Sequence, residues 1–219
     1  MRGAALPVVL ALSALGCQSH PEKGVVDQYF NAVNAKDSQT LSSFAAVSFD
    51  KKVDRWAIKD TLDEQKSDAP LPALAQKVKD LEAELAANTK AARAYNNDHY
   101  VELDQLKAMK KDAPVPAKIQ PIKAEWDKFS EKDRELKIAI ANAKVEVDKE
   151  KRSVLRSIGQ ADDVESLAGE VTEKKINLDL TIDGQVQPYV MTVRKYEMKK
   201  GSGPRVVSRW VVQELQPKT

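Results

Sequence analysis

Cysteine is almost missing from this chain: Cys17 stands alone among 219 residues. One cysteine excludes a disulfide framework and a thiolate metal cluster. Histidine is nearly as scarce, with only His20 and His99. Acid–base chemistry most often uses histidine, and neither one can be placed with a carboxylate in a pocket. No glycine-rich phosphate loop occurs. Aromatic residues make up 5% of the chain. Charge of one sign is also lacking, with 35 Lys and Arg against 33 Asp and Glu. That balance argues against nucleic acid, which selects a basic face. Long hydrophobic runs are absent too. The uncharged stretch from Gly3 to Gly16 is roughly 14 residues, where a helix needs about 20 to span a bilayer. No catalytic residue, metal ligand or cofactor is therefore expected, and the chain does not read as an enzyme.

What is present begins at the N-terminus. Arg2, the apolar run, Pro7 within it and small residues at its end describe a secretory signal peptide over residues 1–16. Ser13-Ala14-Leu15-Gly16-Cys17 resembles the lipobox of bacterial lipoproteins. Leu15 and Gly16 suit the two positions before the cut, and Ala14 stands where Leu is more usual. The resemblance implies cleavage before Cys17, a diacylglycerol on its thiol and a third acyl chain on the new amino group. The alternative is an ordinary signal peptide cut near Ser13, which leaves a free thiol. Each buried methylene contributes about 0.8 kcal/mol, so two or three chains anchor stably where one does not. The implied partner is a membrane. Gln18, rather than Asp, resembles the outer-membrane-sorted form of the family, so the expected location is the cell envelope, on the outer membrane facing the periplasm. Only Gln18 and Ser19 separate Cys17 from the first helix, so the body begins within about 10 Å of the bilayer.

Hydrophobic content of 42% suffices for a core, and 31% charged residues rich in Lys and Glu suggest long exposed helices. A first helix opens near Ser19, with Glu22 three residues on, and carries Val25, Val26, Tyr29, Phe30 and Val33 at helical spacing. Asp37 or Ser38 caps a second short helix with Leu41 and Phe44. Asp50 to Gln65 reads as another helix, with Val53, Trp56, Ile58 and Leu62 turned inward.

Heptad spacing follows. Leu74, Val78, Leu81, Leu85, Asn88, Ala92, Tyr95 and His99 step by four and three, and the phase slips near Tyr100 before Leu103, Leu106 and Met109. Prolines at 114 and 116 break the helix. A return helix from Pro121 to Ile158 carries Ile122, Trp126, Phe129, Asp133, Leu136, Ile140, Ala143, Val147, Glu150, Val154 and Ile158, and Gly159 stops it. Two helices of about 37 residues form an antiparallel coiled-coil hairpin about 55 Å long. Pairing from the proline turn sets Leu74 opposite Ile158, Ala92 near Ile140 and His99 near Asp133.

After Gly159 the period becomes two. Ile176, Leu178, Leu180 and Ile182 alternate with polar residues, and Asp183-Gly184 turns the chain into a second strand, Gln185 to Met198. Pro188 suggests an edge or bulge. Val206 to Leu215 is the last strand, and a further one is expected around Glu165 to Thr172.

Neither the helices nor the strands bury a sizeable core alone, so the expected fold is one α+β domain. Val25 to Ala45 resembles the first two helices of NTF2-like small lipoproteins, in which a helix with a Tyr-Phe pair leads into an Ala-Lys-Asp turn. The C-terminal strands with Tyr196 and Trp210 are similar to that family's curved sheet. The resemblance implies an NTF2-like domain made of residues 17–67 and 160–219, with the hairpin, 68–159, inserted. It also implies a cone that Tyr29, Phe30, Tyr196 and Trp210 line, unless they are ordinary core. Val115, Lys118 and Trp126 mark the hairpin tip as a contact for a protein partner, in a setting of further lysines. Packing of Trp126 and Phe129 against Leu103, Leu106 and Met109 is the plainer reading.

Three functions fit. One is a non-enzymatic adaptor whose hairpin reaches a protein partner. The second is a binder of a small or lipid-like ligand in the cone. The third is a periplasmic holdase, which would need splayed helices and an oligomer. The oligomeric state itself is open in the sequence.

Overall fold

The computed structural model describes residues 21–62, 64–110, 113–159, 161, 163–204, 206 and 208–218. Cys17, His20 and the expected signal peptide, residues 1–16, lie outside the described residues.

The first helix, α1 (Pro21–Ala35), has Glu22 in its first turn. Its apolar stripe, Val25, Val26, Tyr29, Phe30 and Val33, is buried throughout. Lys36 leaves the helix at φ 54°. Asp37 then caps α2 (Ser38–Phe44), accepting from the Thr40 N–H at 3.0 Å.

The segment from Asp50 to Gln65 is not helical, which corrects the expectation above. It forms β1 (Arg55–Thr61) and runs into β2 (Gln65–Asp68). Two side chains of α1 fix this. The Asn34 amide brackets Val53, donating to its carbonyl at 2.7 Å and accepting from its N–H at 2.9 Å. The Trp56 indole N–H donates to Asp27 at 2.8 Å. Trp56 and Ile58 turn inward with period two, and the open edge of a long neighbouring strand outweighs the local helical spacing.

That neighbour is β3 (Ala168–Ile182), which absorbs the strand expected at Glu165–Thr172. Asp183 and Gly184 both have positive φ, 52° and 75°, as a two-residue primed turn requires. The chain returns as β4 (Gln185–Lys199), paired with β3 along its whole length. The final strand, β5 (Val211–Pro217), starts later than expected. The sheet is antiparallel in the order β1-β3-β4-β5, with β2 also on β3. Pro188 falls near the start of β4, where β5 runs out opposite Tyr189. A proline there deprives no full neighbour of a donor.

Alternation sends the two sheet faces to two cores. Ile176, Leu178, Leu180 and Ile182 meet α1 together with Tyr189, Met191 and Val193. Val171, Tyr196 and Met198 face the other way and pack on Val147, Val154 and Ile158. Those last residues belong to α5 (Gln120–Ile158), the longest helix.

The partner of α5 is α3 (Leu71–Asp98), followed by a short α4 (Tyr100–Ala108). Along α3 the less exposed positions include 71, 74, 78, 81, 85, 88, 92 and 95, with 99 just past its end, and along α5 they include 136, 140, 143, 147, 150 and 154. The seam residues are as the spacing indicates, but their register differs. The helix ends at Asp98, and His99 takes a non-helical conformation (φ −122°, ψ 32°) where the heptad phase slips. Since α4 and the loop after it form the turn, Asp98 comes level with Gln120. Tyr95 therefore meets the Ile122 carbonyl, at 3.4 Å from its hydroxyl. Asn88 donates to the Phe129 carbonyl at 3.1 Å. The expected pairing is thus offset by about four turns in this distal half. The His99–Asp133 layer does not form: His99 stacks on Tyr95 at 4.5 Å, and Asp133 pairs with Lys137 at 2.6 Å.

The molecule is a mixed α+β structure of five α-helices and an antiparallel sheet among the described residues.

Candidate functional site

The aromatic residues of the helix pair gather in its distal half. Tyr95, one turn before the end of α3, packs on Phe129 of α5 at 5.5 Å between ring centroids. Trp126 lies one turn earlier on α5. Around these residues a groove of about 480 Å³ opens between the helices. Ala92, Trp126 and Phe129 supply its apolar part. Asn96, Asn97, Thr89 and Ser130 supply amide and hydroxyl groups, and Arg93 and Asp133 bring one charge of each sign. At one end of the groove's lining Asn88 is buried and its amide holds the Phe129 backbone. A buried amide at a seam position penalises any register that leaves it unbonded.

Of the residues the sequence singles out at this end, Trp126 lines the groove. Lys118 is exposed just before α5. Val115 is half-buried in the connecting loop, where its carbonyl accepts from the Gln120 amide at 3.2 Å. The groove residues that sequence reasoning missed are Arg93, Asn96, Asn97 and Ser130. They flank seam positions, and heptad spacing names only the seam.

The four aromatics expected around a cone do not come together. Tyr29 and Phe30 are fully buried against the first face of the sheet, where their rings meet edge to face at 5.2 Å. Trp210 packs at the margin of the same cluster. Tyr196 is fully buried on the opposite face. The alternation that separates Val193 from Tyr196 across the sheet separates these side chains.

Each face also holds a buried charge cluster. On the α1 face, Lys174 pairs with Glu22 and, at 2.6 Å, with Glu64, and its ammonium lies 5.4 Å from the centre of the Trp210 ring. Burial pulls the Lys174 pKa down, but the bonds from both carboxylates outweigh it and leave it raised. On the α5 face, Arg194 joins Glu173 at 2.8 Å and Glu150 at 3.7 Å. Beside them burial raises the pKa of the Tyr196 hydroxyl, and the Glu150 carboxylate raises it further. Burial likewise pushes Tyr29 up to about 12. Both clusters join a helix to the sheet, and neither opens on one of the grooves described. No three His, Cys, Asp or Glu side chains among the described residues converge as a metal site would require.

Searches against protein-family models, curated proteins and solved structures find no match to this chain. No helix among the described residues is long and apolar enough to cross a membrane.

Proposed function

We propose that this protein is a membrane-anchored lipoprotein of the bacterial cell envelope, which acts without catalysis as an adaptor. Cys17 carries the lipid, the α1–sheet body is an NTF2-like domain, and the α3–α5 pair is an inserted coiled-coil arm that reaches a protein partner. The lipobox-like residues before Cys17 support the anchor, and Gln18 after it supports the outer-membrane location. The carrying observation for the adaptor role is the distal groove, where Trp126 and Phe129 stand between amide side chains. Aromatic anchors in a recess with a polar margin suit protein recognition. The space between α1 and the sheet is occupied by Tyr29, Phe30, Phe44 and Tyr189 with Trp56 against them. That filling favours recognition on the arm over a ligand in the cone.

The arm is joined to the body by a continuous helix. Beyond the level of Leu71, α5 continues to Ile158 and packs on the sheet, so one helix serves both parts.

The test is photocrosslinking in intact envelopes, with probes replacing Asn97 at the groove and Lys118 at the tip. A control probe replaces Val145, which is 64% exposed on the shaft. The expected result is one discrete protein band from the distal probes and none from Val145. No band from either distal site, or equal bands from all three, would reject the adaptor role.

A further inference from the structure

We propose that the occupant of the distal groove is an acidic protein segment, with carboxylates for the tip lysines and one apolar side chain for the Trp126–Phe129 floor. This rests on the adaptor reading and gives its partner a chemistry.

The first argument is charge. From Lys107 to Ala124 the chain carries five lysines and a single acid, Asp112, although the whole chain is near balance at +2. Several lysines on the shaft of the arm are neutralised in place, although among the described residues no acid pairs with Lys79, Lys90 or Lys149. Lys77 meets Glu146 at 3.4 Å, Lys144 meets Glu82 at 2.7 Å and Lys132 meets Glu84 at 2.9 Å. Near the tip Lys123 pairs with Asp127. Lys107, Lys110 and Lys118 are all exposed, no acid among the described residues pairs with them, and unlike the scattered unpaired lysines of the shaft they are grouped at the tip. Unpaired charges of one sign at the end of an arm steer a partner of the other sign and select against like-charged ones.

The second argument is shape. The groove is set back along the arm, since Trp126 lies six positions into α5, or about 9 Å from its start. A flat membrane surface touching the tip would not enter such a recess, whereas a protein segment can lie along it. Asn96 and Asn97 at the margin offer donors and acceptors to its backbone. Arg93 adds one more cation, because the nearby Asp133 is already engaged by Lys137.

The test repeats the Asn97 crosslink in intact envelopes with three variants. K107E/K110E/K118E is expected to weaken the band at least tenfold. K107R/K110R/K118R is expected to retain it, and W126A to lose it. The lysines are exposed and unpaired, so unchanged thermal unfolding of the purified full chain would show that the charge reversal leaves the fold intact. The crosslinked peptide, identified by mass, is expected to be net acidic. A band that survives charge reversal, or a neutral or basic crosslinked peptide, would overturn the acidic chemistry while the adaptor reading stands. Crosslinks to lipid alone, or no band from the unaltered chain, would overturn both.

Discussion

Ser157 and Tyr196 join the end of the long helix to the sheet. The Tyr196 N–H donates to the Ser157 hydroxyl at 3.1 Å, and that hydroxyl donates to the Arg209 carbonyl at 2.8 Å. The strand β5 begins only at Val211, so this part of β4 lacks a strand neighbour on the edge away from β3, and a serine takes its place. Ser157→Ala would strand the buried Tyr196 N–H and the part-buried Arg209 carbonyl. The expected loss is about 1–3 kcal/mol in urea unfolding, with the slope unchanged. A loss within about 0.5 kcal/mol would show that water or relaxation satisfies both groups.

The buried Lys174–Glu22 pair fixes the start of α1, five residues after Cys17. Lys174→Met removes one charge partner from the buried Glu22 carboxylate and is expected to cost up to about 3–5 kcal/mol. The double variant Lys174→Met with Glu22→Leu is expected to recover most of that. If the double variant is no more stable than the single one, the contribution is packing and not charge.

Alkaline stability follows from the same lysine and from Tyr29. The folded pKa of Lys174 is raised, so its contribution is complete below the ordinary lysine value of about 10.4 and is lost as pH rises through the folded value. Tyr29 is raised to about 12, so above about pH 10 the unfolded chain loses a proton that the folded chain keeps. Both effects favour unfolding as pH rises. Thermal unfolding temperatures should fall between about pH 10 and 12, and Tyr29→Phe should flatten part of that slope. An unchanged slope in Tyr29→Phe would remove the tyrosine from the account.

Gly169 faces β4 with no room for a side chain. An added Cβ would stand 2.1 Å from the Glu197 carbonyl oxygen, a backbone atom that cannot swing aside. Its own carbonyl accepts from the Ala69 N–H at 2.8 Å, at the root of α3. Gly169→Ala is expected to cost about 1–3 kcal/mol or more and to loosen the arm's attachment, seen as faster amide exchange at Ala69. Wild-type exchange at Ala69 would contradict this.

Asn88 holds the register of the arm. Asn88→Leu should keep or raise stability while admitting other alignments of α3 on α5. Spin labels at Lys79→Cys and Asn142→Cys in a Cys17→Ser background should give one distance with Asn88 and a broadened distribution with Leu. A single sharp distance in both would assign the register to the ends of the helices.

Local spacing carried much of this structure. Val25 to Val33 named the buried stripe of α1, Asp37 its neighbour's cap, Asp183-Gly184 the hairpin turn, and the heptads the inward residues of α3 and α5. The phase slip at Tyr100 marked the helix break at His99. Each depends on a few adjacent residues and a fixed period. Trp126 was legible at the groove because it is a large apolar residue in a heptad. Its polar neighbours were not, because nothing in a period distinguishes a groove margin from any solvated surface.

What the sequence alone determined was therefore the local set: the apolar faces, the turns, the lone cysteine in its lipobox-like setting and the excess of lysine near the prolines. Tertiary structure decided the rest. Arg55 to Thr61 became strand because β3 offered an edge and Asn34 held the Val53 backbone just before it. The register of the arm came from where α3 stopped, since hydrophobic seams match at several offsets and only the ends and Asn88 choose one. Tyr196 parted from Tyr29 because strand alternation fixes a face, while the helix that covers that face arrives from far along the chain.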